Sequence, residues 1–289
     1  MHAPWRRIAR FAIGVGFEPD ARETAALAPA QRQFRRWILV PKLVTSDPGT
    51  PDVEFHLTTS PFCSSTLRPD ESALGAWAFS DRFTVKESHR LPACTLAAAM
   101  QAHGLARIDW LKCDTQGTDL RIFQSLAPEI RQQVLAVELE PGLIDAYHGE
   151  DKFHHVLAAM EREPFWLSRL AVLGAPRGRT TMLTTRLGGA LAHRYRYLGP
   201  IAPGWVEALY LHSCDDGSGL DLRAHLLLWV FASENAQPSF ACEVAEIGLR
   251  RFGDALFAEL ADASTRAMRR ALWRTWPRWP GLLWSKLVR

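Results

Sequence analysis

The sequence lacks the features that would place it in a membrane or in an oxidising compartment. No apolar run reaches the roughly 18 residues that a membrane-spanning helix needs. Its five cysteines include no C-x-x-C pair, which argues against a zinc knuckle and predicts free thiols in a reducing compartment. The short apolar run near the N-terminus ends in E-P-D without a small-residue cleavage site, so it does not fit a signal peptide. These absences predict a cytoplasmic protein.

Several common catalytic motifs are missing as well. The chain has no P-loop lysine motif, no H-E-x-x-H pair, no G-x-S-x-G elbow and no DNA-reading module. His154 and His155 are adjacent, and on a helix they would point about 100° apart, so they cannot share a metal. Without an elbow around them, Ser64 and Ser65 fit turn and capping residues better than nucleophiles. No ligand spacing demands a metal, and no metal site is predicted.

Acidic residues are missing from the C-terminal segment. Residues 266–289 contain seven Arg or Lys, no Asp or Glu and four of the eleven tryptophans. Two interpretations of this segment are open. Its composition suits a membrane surface, so the first is a peripheral membrane contact through 266–289. The other is a helix that packs its tryptophans on the sheet. Pro277 and Pro280 favour this second alternative, because they would break a continuous amphipathic helix. The rest of the chain is net acidic and would repel phosphates, so no nucleic-acid partner is predicted.

Short apolar runs alternate with amphipathic stretches from residue 11 to about residue 170. Repeated strand–helix units of this kind predict an α/β fold with a Rossmann-like, doubly wound and mostly parallel sheet. The predicted strands are 11–17, 37–44, one beginning at Val53, 108–114, 134–140, 165–173 and two edge strands at 180–187 and 208–213. One predicted helix begins at Ala21, and others cover 91–104, 118–128 and 153–163. Most of the chain from Asp221 is also predicted to be helical.

This pattern predicts a Rossmann-like domain over residues 1–215 and an α-helical extension over 216–289. The clearest unit is the strand at 108–114, the helix at 118–128 and the strand at 134–140. About twenty residues join the two strands, enough for a crossover helix and too many for a hairpin, so the strands should be parallel.

Local signals refine these elements. Gly117 should allow a tight turn before the helix at 118–128, and Thr118 should cap that helix. Gly104 can end the preceding helix in a left-handed cap. Gly14 and Gly16 lie inside the first strand, where glycine marks close approach of a neighbour and not a phosphate-binding loop.

Acidic residues fall at the carboxyl ends of three predicted strands, where ligands bind in open α/β sheets. They are Glu18 with Asp20, Asp114, and Glu138 with Glu140. A carboxylate at such a position can accept hydrogen bonds from ribose hydroxyls, cap a helix or act as a base. Three at successive strand ends predict a shared crevice.

The two candidate catalytic residues, Asp114 and His148, each have two interpretations. Asp114 follows a buried strand directly, so it can act in the crevice or bind the amides of its own loop. His148 comes after the strand that ends at Glu140. It can reach the crevice as a general base, or it can be an exposed loop histidine.

The order of motifs resembles the FkbM-type methyltransferases. The matching segments are "VGFEPD", "SPFCSSTLRP", "IDWLKCDTQGTDLRIFQSL" and "VLAVELEPGLIDAYHGEDKFHHVL", which span roughly residues 11–170. The resemblance implies a class I enzyme that uses S-adenosylmethionine to methylate hydroxyls of sugars, glycans or natural products. It implies that Glu18 binds the cofactor ribose, with Asp20 beside it, and that Asp114 lies where cofactor and acceptor meet.

The resemblance departs from the family pattern at the N-terminus. Family members begin with a strand and a D-x-G-x-x-x-G turn that wraps the methionine part of the cofactor, and no such segment precedes residue 11. We expect the true start to lie upstream, or the first strand to have been lost. The alternative function is a non-catalytic protein of the same fold that docks to a membrane surface or to a partner.

Overall fold

The structure is a computed structural model, and it describes residues 7–19, 32–215 and 217–275. Contacts divide the chain into two compact units, Met1–Tyr210 and Leu211–Arg289. The predicted boundary lies slightly later, between residues 215 and 216. The helix predicted from Ala21 falls largely outside the described residues.

Strands and helices alternate in the first unit, and the fold is α/β and Rossmann-like as predicted. The strands are β1 (Ile13–Phe17), β2 (Arg36–Val40), β3 (Leu43–Val44), β4 (Asp52–Thr58), β5 (Val85–Cys94), β6 (Trp110–Lys112), β7 (Ala136–Leu139), β8 (Phe165–Ala175) and β9 (Ala202–His212). The helices are α1 (Glu71–Leu74), α2 (Leu96–Ala102), α3 (Asp119–Gln124), α4 (Pro128–Arg131), α5 (Phe153–Met160), α6 (Thr180–Leu187) and α7 (Gly189–Leu198).

Hydrogen bonding groups the described strands into three sheets. Their orders are β1–β2, β3–β5–β4 and β6–β7–β9–β8. β6 and β7 run parallel, with Lys112 opposite Glu138, which confirms the predicted crossover through α3. β1 and β2 are also parallel, so the first sheet has the direction expected of a Rossmann-like fold.

Four of the predicted elements differ from the structure. The strand predicted at 37–44 is divided into β2 and β3, which belong to different sheets. Residues 91–94 belong to β5 and not to the following helix, because they pair with β4 and β3. Residues 180–187 form α6 and not a strand. In this helix Thr184 and Thr185 donate their hydroxyls to carbonyls of the preceding turn, at 2.9 Å each. The strand predicted at 208–213 is the end of β9, which lies between β7 and β8 and not at an edge.

A buried apolar cluster fixes the strands that carry the acidic residues. It includes Leu111 on β6, Val137 on β7, Phe123 on α3 and Val156 on α5. Phe17, the last residue of β1, packs against the same cluster. Glu18 therefore follows a residue that is fixed by the core supporting β6 and β7.

The two glycines of β1 make room for an aromatic ring, as predicted. A Cβ atom on Gly14 would lie 2.5 Å from the ring of Trp37, and one on Gly16 would lie 2.4 Å from it. Trp37 stands on β2, opposite Gly14 in the parallel register. Its indole therefore lies across the backbone of β1.

We expect Gly16→Ala to destabilise the protein by about 1–3 kcal/mol, because the added methyl overlaps the Trp37 ring. The free energy of unfolding in urea measures this cost. Gly189→Ala is the matched control, since a Cβ there would meet no atom within 4 Å. In a Trp37→Leu background the cost of Gly16→Ala should largely disappear. An unchanged cost in that background would contradict the packing argument.

The described residues of the second unit include three helices. Its helices are α8 (Leu222–Glu234), α9 (Pro238–Phe252) and α10 (Ala255–Thr275). Trp229 on α8 donates a 2.9 Å hydrogen bond from Nε1 to the Ser264 hydroxyl on α10. Among the described residues, no helix combines the length and apolarity needed to cross a bilayer. Residues 276–289 of the basic segment lie outside the described residues, so its membrane contact stays a prediction.

Candidate functional site

The carboxyl ends of β1, β6 and β7 open into one cavity of about 740 Å³. Glu18 after β1, Asp114 after β6 and Glu140 after β7 all line it. The structure thus brings together one acidic residue from each of the three strand ends singled out in the sequence. Glu138 is buried within β7, and Asp20 lies outside the described residues. The roles of these residues stay predictions.

Asp114 begins a turn with an unusual backbone. Gln116 and Gly117 have φ angles of +56° and +109°, which confirms the tight turn predicted at Gly117. A Cβ on Gly117 would also lie only 2.9 Å from Cβ of Glu150. Nε2 of Gln116 donates a 2.7 Å hydrogen bond to Oδ1 of Asp114. Asp114 is exposed to the cavity and is held there by this amide.

Asp119 is the buried carboxylate that holds the turn. Its Oδ1 accepts hydrogen bonds from the amide and the hydroxyl of Thr115, at 2.8 and 2.5 Å. Its Oδ2 accepts a 2.8 Å bond from the amide of Glu140, the residue after β7. Burial raises the pKa of Asp119, and the bonds from Thr115 and Glu140 oppose that rise. Asp119 therefore binds the backbone amide of Thr115 in this loop, whereas Asp114 accepts from the side-chain amide of Gln116.

Thr118 does not cap α3, so that prediction is wrong. It occupies the position before the helix, but its side chain makes no capping bond. Its hydroxyl donates instead to Oγ1 of Thr115, at 2.8 Å. This bond adds to the network around Asp119.

Lys112, the last residue of β6, lies between two carboxylates, one on the neighbouring strand β7 and one directly after it. Its Nζ is 2.6 Å from Oε1 of Glu140 and 3.3 Å from Oε1 of Glu138. Arg169 on β8 lies 3.9 Å from the same oxygen of Glu138. Burial alone would lower the pKa of Lys112, but the bond to Glu140 and the nearby carboxylates raise it overall. The ammonium therefore stays charged at neutral pH.

Glu140 titrates near neutrality. Burial raises its pKa to about 7, the charge of Asp114 adds to the rise, and Lys112 opposes it. Glu207, which also lines the cavity, raises the pKa slightly further. A single ammonium is shared among several carboxylates, so the surplus negative charge favours a proton on Glu140. A carboxyl group with this pKa can gain or lose a proton at physiological pH, as a general base must.

Ser65 ties the loop after β4 to the Asp114 turn, and Ser64 binds the end of β4, which confirms the structural interpretation of both serines. Ser65 donates a 2.8 Å hydrogen bond to the carbonyl of Gln116, and Ser64 accepts one of 3.1 Å from the amide of Thr58. Tyr147 donates to the carbonyl of Cys63 at 2.8 Å. Burial raises the pKa of Tyr147, so its hydroxyl stays protonated. The loop and the turn therefore form one wall of the cavity.

An aromatic surface lines the part of the cavity built by later segments of the chain. The ring of Phe79 lies 5.4 Å from that of Phe83 and 6.3 Å from that of Trp205, between centroids. Phe83 lies 5.6 Å from Tyr147. The cavity is also lined by two cations, Arg82 and Arg196. Arg82 lies 4.9 Å from the ring centroid of Tyr197, so these residues share one wall.

His148 is not among the residues that line the cavity. It is 62% exposed, and its Nδ1 lies 3.7 Å from Oδ2 of Asp70. This placement agrees with the interpretation as an exposed loop histidine, and the role as a general base stays a prediction. Sequence reasoning missed Trp205 and Tyr197, because they come from β9 and α7, far along the chain from the acidic strand ends. No local motif marks either residue.

Comparison with protein families finds a match to a model described as the methyltransferase FkbM domain, over residues 8–165. The match covers slightly more than half of the chain, from just before β1 to the first residue of β8. Glu18, Asp114 and Glu140 lie within it, whereas Tyr197, Trp205 and Glu207 lie beyond it. Comparisons with curated proteins and with solved structures find no significant match.

Proposed function

The chain belongs to the FkbM methyltransferase family, and from this premise we propose that it transfers a methyl group from S-adenosylmethionine to a hydroxyl oxygen. The acceptor that we propose is a sugar, a glycan or a natural product. The observation that carries the proposal is the convergence of Glu18, Asp114 and Glu140 on one cavity at the carboxyl ends of parallel strands.

The residues of the cavity fit the cofactor. Its volume of about 740 Å³ falls within the range usual for cofactor sites, roughly 300–1,000 Å³. The Glu18 carboxylate, held at the end of β1, can accept hydrogen bonds from both ribose hydroxyls. Asp114, Glu140 and Glu207 place negative charge where a cationic ligand is favoured. When bound, S-adenosylmethionine supplies an electrophilic methyl group on a positively charged sulfur.

The chain contributes alignment and proton transfer. The aromatic surface of Phe79, Phe83 and Trp205 can hold the apolar face of a sugar ring or of a flat natural product. The carboxylate of Glu140 accepts the proton that the acceptor hydroxyl loses, and its pKa of about 7 suits that step. Asp114 tunes Glu140 through its charge.

Transfer of labelled methyl tests this function. The full chain is incubated with methyl-labelled S-adenosylmethionine and a panel of sugars, glycans and hydroxylated natural products. We expect label in at least one acceptor, and nuclear magnetic resonance of the product should place the methyl on oxygen. Label on nitrogen or carbon would contradict the proposed chemistry. Label in no member of the panel, by a protein that binds the cofactor, would contradict the proposed acceptor class.

A further inference from the structure

A helical hairpin, residues 177–201, lies between β8 and β9 and beyond the family match. It consists of α6, α7 and their flanking residues. The segment contains five arginines and no Asp or Glu. Its charge is therefore of one sign, although the chain as a whole has nearly balanced charges.

The hairpin exposes more apolar surface than it packs. Leu191, Tyr195 and Leu198 follow the spacing i, i+4 and i+7, so they share one face of α7. Leu191 is 58% exposed and Leu198 is 77% exposed. The other exposed large apolar or aromatic side chains of the hairpin are Met182, Leu187, Tyr197 and Ile201.

A small contact holds the opposite side of the hairpin to its own unit. Leu183 and Ala192 are its buried residues, and they pack with Ala78. Arg196 pairs with Asp81, on the side of α7 that also carries Ala192. The exposed apolar face of α7 is thus a different side of the helix from the one that makes this contact.

The arginines of the hairpin also fall into two groups, one that binds the rest of the first unit and one that is exposed without an ion pair among the described residues. Arg177 donates to a backbone carbonyl at 2.5 Å, and Arg196 pairs with an aspartate. Arg179, Arg186 and Arg194 are exposed, and none forms an ion pair with a described residue. Three unpaired cations therefore accompany the exposed apolar side chains.

We propose that the helical hairpin binds the surface of an anionic lipid bilayer. Its apolar face would enter the boundary between headgroups and acyl chains, and its tyrosines suit the headgroup level. Its unpaired arginines complement anionic headgroups, and the hairpin itself contributes no acidic residue that would repel them. A nucleic acid would use the arginines alone and would leave Leu191 and Leu198 in water.

This binding would bring the mouth of the cavity close to the bilayer, because Arg196, Tyr197 and Ile201 of the hairpin line that cavity. The proposal does not depend on methyl transfer. Bilayer binding and enzymatic activity are measured separately, so either can fail without the other.

Vesicle co-sedimentation of the full chain tests the proposal. The probes are vesicles of phosphatidylcholine alone and of phosphatidylcholine with phosphatidylglycerol. We expect binding to the anionic vesicles and little binding to the neutral ones. Arg186→Gln with Arg194→Gln should weaken partitioning by about fivefold per charge removed. Leu191→Ser with Leu198→Ser should weaken it by about tenfold or more.

The matched control is Lys86→Gln with Arg162→Gln, which removes two cations elsewhere on the first unit. This variant should bind the anionic vesicles nearly as the native chain does. Both residues are exposed and lie outside the cavity. Hairpin variants that bind as tightly as the native chain would overturn the proposal, even if residues 266–289 attach the protein to vesicles. Equal binding to neutral and anionic vesicles would overturn it too, as would tighter binding of duplex DNA through the same arginines.

Discussion

Glu140→Gln is expected to slow methyl transfer by about 10²-fold or more, because the amide cannot accept the acceptor's proton. In the native chain the rate should rise as the pH rises through about 7, because we propose the carboxylate form of Glu140 as the base. The variant should lose this inflection. The measurement is the rate of label transfer to an acceptor found with the panel described above, followed as a function of pH.

Asp114→Asn separates the two carboxylates that could act as the base. The charge of Asp114 helps to raise the pKa of Glu140, so its removal should move the inflection to lower pH while most of the rate is kept. Loss of the rate with an unmoved inflection would assign the base to Asp114 instead. Glu54→Gln, on the exposed part of β4, is the control and should change neither the rate nor the profile.

Asp119→Ala is expected to destabilise the protein by about 3 kcal/mol. The change leaves the half-buried amides of Thr115 and Glu140 without the acceptor that now lies 2.8 Å from each. Asp119→Asn keeps one carbonyl oxygen and should cost about half as much. The free energy of unfolding in urea measures both costs.

Asp52→Ala is the control for this series, because Asp52 is exposed at the start of β4. It should change the free energy of unfolding by less than about 0.5 kcal/mol. If Asp119→Ala changed the free energy of unfolding equally little, the turn would not depend on this carboxylate. The placement of Asp114 and Glu140 would then need another explanation.

The unit from β6 to β7 could be predicted from the sequence because its signals are local. A buried run, a glycine with positive φ and an amphipathic helix follow one another within about thirty residues. The rule that ligands bind beyond the carboxyl ends of parallel strands then placed Glu18, Asp114 and Glu140 together.

The errors come from interactions that local pattern cannot show. Residues 91–94 resemble the start of a helix, but their partners on β4 lie about forty residues earlier in the chain. The sequence offered Asp114 as a partner for the loop amides, and only the positions of the Thr115 and Glu140 amides show that they bind Asp119. Trp205 reaches the cavity through the order β7–β9–β8, which no segment of the sequence reveals.

Titration calorimetry of S-adenosylmethionine into the full chain and into Glu18→Gln tests most directly whether this cavity holds the cofactor. A charge-assisted hydrogen bond contributes about 1.5–3 kcal/mol, so the variant should bind about 10- to 100-fold more weakly than the native chain. Glu54→Gln should bind as the native chain does. Absence of binding by the native chain, or equal affinity of the native chain and Glu18→Gln, would contradict the assignment of Glu18 and of this cavity to the cofactor.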